Sequence, residues 1–137
     1  MACDEGVDGM SLSPIPSRML HDTAIIKVVT GMDRYQEKVY EEYEISHVHL
    51  QSDTDAVKRA NDTEVQLKGV LFVDARRSQP VYDLNALQEQ SLGNGDTMRV
   101  TVYDASGNNA GDYAVLVVDS LPDVPATRVH HWELGLV

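Results

Sequence analysis

The chain has 137 residues, a formal net charge of −11 and one cysteine. That length suits one domain burying roughly 68% of its unfolded surface; the lone Cys3 rules out an internal disulfide. The acid excess argues against a surface built to grip phosphates, since nucleic-acid affinity comes mostly from Lys and Arg displacing counterions. It remains compatible with a wall past which DNA slides, with a mimic of DNA's charge, or simply with solubility.

Residues 1–9 are acidic, polar and without periodicity, unlike the basic-then-apolar start of a signal peptide. They are expected to be a disordered extension, with Met10 as an alternative start. The longest uninterrupted apolar run, residues 114–118, is far short of the ~18 needed to cross a membrane. A cytosolic chain with no membrane partner is expected. Pro14 and Pro16 make residues 11–17 an extended arm, because proline fits neither a helix interior nor a central strand. The domain reading is therefore a flexible extension and proline arm over 1–18 and one β-barrel domain over 19–137.

Ile25, Ile26, Val28 and Val29 predict a first strand over residues 23–30, ended by Gly31. Residues 33–44 carry Glu37, Glu41, Glu42 and Glu44 with three tyrosines; helix and hairpin both fit, and the reading adopted is an excursion followed by a strand. In residues 45–51, Val48 and Leu50 share one strand face, and His47, His49 and Gln51 the other. Residues 51–62 are polar, with Val57 the only sizeable apolar side chain, and read as a loop with at most one helical turn begun at Asp55.

The chain is organised around residues 63–77. Val65 and Leu67 alternate with Gln66 and Lys68, Gly69 interrupts, and Val70-Leu71-Phe72-Val73 follows as a buried strand. Asp83 is placed to cap a short helix through Leu84 and Leu87 before Gly93-Asn94-Gly95 forces a turn. Met98, Val100 and Val102 alternate as a strand, joined through Ser106-Gly107-Asn108-Asn109 to another over 112–119. The closing strand is 128–134, with Trp132 and Leu134 on one face and His131 and Glu133 on the other. These signals predict an all-β fold, a small β-barrel of about six strands with a short helix and long loops.

Few residues carry chemistry. His47 and His49, two apart on a strand, with Asp53 and a distant His131, could share a metal as in cupin barrels, but the glycine-framed cupin motifs are missing. No serine lies in a glycine-flanked elbow, Cys3 has no framing base, and no glycine-rich phosphate loop precedes a helix. No catalytic residue, metal or cofactor is expected.

The string Gln66-Leu67, Val70-Leu71-Phe72-Val73-Asp74, Ser78, Pro80, Gly95-Asp96 and the terminal His130-His131-Trp132-Glu133-Leu134-Gly135-Leu136 resembles the minor capsid proteins of tailed phages infecting Gram-positive hosts. The resemblance runs from about residue 16 to the end; residues 1–9 and 84–94 depart from it. It implies a head-completion or stopper protein of the virion neck. Its β-barrel subunits would form a homo-oligomeric ring, twelvefold or sixfold, between portal and adaptor proteins above and tail-completion or tail-tube proteins below. Packaged DNA would pass through the lumen without specific binding.

By position, the channel-gating loop would be Asp53, Thr54, Asp55, Ala56, Val57, Lys58, Arg59, Ala60 and Asn61. Contacts to neighbouring subunits would fall on Pro14, Pro16, Arg76, Arg77, His130 and His131. Two other readings remain in play: a small metal-dependent β-barrel enzyme using His47, His49 and Asp53, and an acidic module that mimics DNA.

Overall fold

In the computed structural model, which describes residues 13–52, 57–60, 63–123 and 128–137, alternation of apolar and polar residues becomes a closed sheet. The strands are β1 (Asp22–Met32), β2 (Lys38–Gln51), β3 (Val57–Ala60), β4 (Thr63–Gln66), β5 (Gly69–Asp74), β6 (Arg99–Tyr103), β7 (Asn109–Pro122) and β8 (Val129–Leu136), with an α-helix, α1 (Leu84–Gly93), and a 3-10 turn, Ser17–Met19. Six strands close into a barrel in the order β1-β2-β5-β8-β7-β6. Every neighbouring pair is antiparallel. The predicted fold class is correct. β3 and β4 form a two-stranded sheet of their own outside that ring.

The inward positions are those that period-two alternation selects: Ala24, Ile26 and Val28 on β1, Leu71 and Val73 on β5, Val100 and Val102 on β6, and Trp132, Leu134 and Leu136 on β8. Met98 and Leu84 join them from outside the strands. β2 begins at Lys38, so the excursion is only a turn, Asp33 to Glu37. Asp33 Oδ1 accepts from the amides of Tyr35 and Glu37, and Gln36 takes φ +64°. The β6–β7 turn repeats this device, with Asp104 Oδ1 accepting from Ser106 and Asn108 and Gly107 at φ +83°.

β5 and β6 are not neighbours in the ring, so the chain between them must cross from one side of the barrel to the other. α1 fills that crossing and lies against β1 and β7. Asp83 caps it, its side chain accepting from the Ala86 amide at 3.2 Å. Beside Leu84, which enters the core, and Leu87, packed against it, the helix carries a polar stripe of Asn85, Gln88 and Ser91. Asn85 accepts from Trp132 Nε1 at 3.0 Å and donates to Val118 O. Gln88 accepts from the Met98 amide and donates to Thr97 Oγ1. Ser91 Oγ accepts from the Val29 amide and donates to Asp96 O. Among the described residues no helix is long and apolar enough to cross a membrane.

Candidate assembly surfaces

The first surface is the β3–β4 hairpin, inserted between the neighbouring barrel strands β2 and β5. Its register runs from Val57 opposite Gln66 to Ala60 opposite Thr63. Residues 57–60, read from sequence as part of a loop with at most a helical turn, are thus a strand. The partner run Thr63–Gln66 lies only two residues away, and the intervening Asn61 and Asp62 are turn-prone types. Of the proposed gating residues, Val57, Lys58, Arg59 and Ala60 form β3. Asp53, Thr54, Asp55, Ala56 and Asn61 lie outside the described residues.

The hairpin's footing is tight. Leu67, 2% exposed, lays its methyl groups over Gly135 of β8, where a β-carbon would stand 3.2 Å from them and 2.9 Å from a Val117 methyl. The next amide, Lys68 N, donates to Leu136 O at 2.8 Å. At Gly69 a β-carbon would meet Gln51 O at 3.2 Å and Leu50 Cδ1 at 3.3 Å, so the strands entering and leaving the hairpin approach closely there. Neither constraint shows in a linear reading beyond the presence of glycine in a strand.

The second surface is the arm with the turn after β5. Asp74 is fully buried and organises both. Its Oδ1 accepts from the amides of Arg76 and Arg77, and its Oδ2 from the amide of Ile15 at 2.8 Å. Its own amide donates to Ser78 Oγ, which donates to His47 O. The arm therefore docks on its own barrel through residue 15, with Pro14 and Pro16 on either side. Ser13, Pro14, Pro16, Ser17, Arg18 and Arg77 line an open cavity of about 410 Å³. Arg76 is held at 2.8 Å by the buried Asp123 of the same chain. Among the described residues Arg18 and Arg77 have no carboxylate partner.

The histidines gather around Phe72 on the outer face of β2, β5 and β8. His49 stacks on Phe72 at 5.8 Å between centroids, His131 lies 6.2 Å from it on the other side, and His21 meets His49 edge-on. Ile15 and Met19 of the arm complete a cavity of about 210 Å³ with His49, Gln51, Phe72 and His131. His47 stands apart from the face predicted for it, because the β1–β2 register skips it as an extra residue between Ser46 and Val48, with φ +61°. A His47/His49 metal pair is therefore lost to a bulge. Among the described residues no three His, Cys, Asp or Glu side chains converge to hold a metal. Trp132 and Leu134 face the core, and His131 and Glu133 share the outer face as the alternation required.

At the far end, Lys38 bonds Asp96, tying the start of β2 to the turn after α1. That hydrogen bond, followed by the one from the Thr97 amide, holds the Asp96 carboxyl below the ordinary carboxylate range, and the same contact raises the Lys38 ammonium. On β2 the Tyr43 hydroxyl donates to Glu41, which pushes the phenol up.

Compared with known proteins, the chain matches no curated protein and no solved structure. A family model described as minor capsid protein matches residues 16–136.

Proposed function

The chain belongs to the minor capsid protein family, which makes it a structural component of the virion, and from that premise we propose that it is a head-completion or stopper protein of the phage neck, assembled as a ring through which packaged DNA passes. The observation that carries this reading is the β3–β4 hairpin, a two-stranded sheet outside the barrel whose root is clamped by Leu67 on Gly135 and by the close approach at Gly69. A stiff root fixes where the tip points, as a gate in a ring lumen requires. The gate would be residues 53–61, the segment that leads into and forms the first strand of this hairpin, moved aside at ejection.

The arm and the Arg18/Arg77 cavity are the neighbour-facing parts of this reading. Two guanidinium groups beside one open cavity, on a chain of net charge −11, suit a carboxylate-bearing segment of an adjoining subunit. Portal or adaptor proteins on one side and tail proteins on the other complete the assembly.

Electron microscopy of virions should place density for this chain between portal and tail; virions lacking the chain would remove the proposal. Deleting residues 53–61 should leave the barrel folded and let DNA leak from filled heads. Full DNA retention in that deletion would remove the gate while leaving the neck position standing.

A further inference from the structure

The two edges of β2 are not equally used. One pairs with β1 from Lys38 to Val48, while the other meets β5 only from Val48 to Gln51. Two contacts fix which backbone groups point to that second edge. Ser46 bonds Gln79 there in both directions, N–H to carbonyl at 2.8 Å and carbonyl to N–H at 3.1 Å. Val29, opposite Tyr40, donates its N–H to Ser91 Oγ and accepts at its carbonyl from Asn94 Nδ2. The Val29/Tyr40 pair is therefore a non-hydrogen-bonded one, and the Tyr40 N–H and C=O point away from β1. The register is unbroken from Ser46 to Tyr40, so period two places Tyr40, Glu42 and Glu44 on the same outer edge. Pro80 follows Gln79 and has no N–H with which to extend the bridge, and Tyr82 packs edge-on against Tyr43 on the core face. Among the described residues no backbone group bonds Tyr40, Glu42 or Glu44 on that side.

We propose that this open edge, Tyr40 to Glu44, is a strand-addition site that takes an extended segment of another protein bearing Lys or Arg at every second residue. A row of free N–H and C=O groups is a template for one more strand, and main-chain bonds supply its affinity. The side chains beside the edge select the occupant. Glu42 and Glu44 are exposed on the outer face, and among the described residues neither forms an ion pair. Lys27 stands in register with Glu42 on the β1 side, and Lys38 is engaged by Asp96. A cationic side chain opposite each glutamate would complete the outer face. On the other face, alternate residues of the added strand would lie beside Val39, 44% exposed, and Tyr43, which suits apolar side chains there.

The same charge excludes two other occupants. A second copy pairing through this edge would set its glutamates against these, and like charges directly opposite destabilise a strand pair. The chain's own first nine residues carry Asp4, Glu5 and Asp8 and are repelled in the same way. The edge is thus closed to its own kind and open to a basic strand. It is a property of the single chain and stands whether or not the protein occupies the neck.

The test reads amide exchange in the full chain, with the peptide Thr-Lys-Val-Lys-Val-Lys-Thr as probe and Thr-Glu-Val-Glu-Val-Glu-Thr as control. In the free protein the Tyr40, Glu42 and Glu44 amides should exchange about tenfold faster than those of Glu41 and Tyr43, which β1 holds. Equal protection of all five would mean a covered edge and overturns the proposal on the unmodified protein. The basic peptide at millimolar concentration should slow the three outer amides about tenfold, while the acidic control leaves them unchanged. No slowing, or the same slowing by both peptides, overturns the proposal. Glu42→Pro removes one outward N–H at an edge position that proline tolerates, and should abolish the protection of Tyr40 and Glu44. Glu42→Gln keeps the donor and should retain the protection with about threefold weaker binding. Protection that survives Glu42→Pro would place the peptide elsewhere and overturn the site.

Discussion

A β-carbon on Gly135 would stand 2.9 Å from a Val117 methyl and 3.2 Å from both Leu67 methyls. The glycine therefore leaves room for Val117 of β7 and for Leu67, and the second of these contacts ties the hairpin's root to the barrel. Gly135→Ala should destabilise by about 1–3 kcal/mol, the usual cost of overpacking. Leu67→Ala should cost about 2–5 kcal/mol through the cavity it leaves. The double variant should lose somewhat less than the sum, since truncating the leucine removes its two close methyls while the Val117 methyl at 2.9 Å remains. Urea unfolding of the four proteins measures this, and strict additivity would place the constraint elsewhere.

Asp96 offers a second test at this scale. Its folded pKa is depressed by Lys38 and Thr97, so its contribution is present above the unfolded carboxyl value of about 3.9 and lost as pH falls through the folded value. Lys38→Gln should therefore narrow the stability gap to wild type below pH 4, seen as denaturation midpoints that converge in acid. The effect should be small, because both side chains are more than one-third exposed.

At the scale of elements, α1 is docked by Asn85, Gln88 and Ser91, spaced three apart on one face. Ser91→Ala would leave the Val29 amide and Asp96 O without that partner and should cost about 1–3 kcal/mol. Leu92→Ala, at a residue 54% exposed, should change stability by less than about 0.5 kcal/mol. Denaturant unfolding with amide exchange at Val29 separates the two; equal costs would mean that the helix is held by its apolar residues instead. This polar stripe also explains what the sequence hid. β1, β5, β6 and β8 were legible because their inward residues are apolar at period two, and the helix start because Asp83 is a strong cap. The docking face of α1 was not, since Asn, Gln and Ser there look like a solvent face. β3 was missed for the same reason, its pairing being set by β4 rather than by its own apolar residues. The arm's fastening depends on Asp74 and His130, 59 and 117 residues from their partners, and no local pattern reports such a distance.

For the whole molecule, the decisive quantity is charge against the position of the hairpin. In the proposed ring, repeating a subunit of net charge −11 would surround DNA with a field that repels it, and a repelled polymer slides rather than sticks. If residues 53–61 point into the lumen, their aspartates are among the groups DNA passes most closely. The double change Asp53→Lys and Asp55→Lys should leave barrel stability within about 0.5 kcal/mol of wild type, since both positions fall between β2 and β3, in none of the six barrel strands. It should nevertheless create phosphate contacts whose strength falls as salt rises. Virions carrying it should retain DNA and eject it more slowly at low salt, with the difference shrinking as salt screens the contacts. Ejection kinetics by light scattering across a salt series reads this directly. An ejection rate equal to wild type at every salt concentration would place Asp53 and Asp55 away from the DNA path.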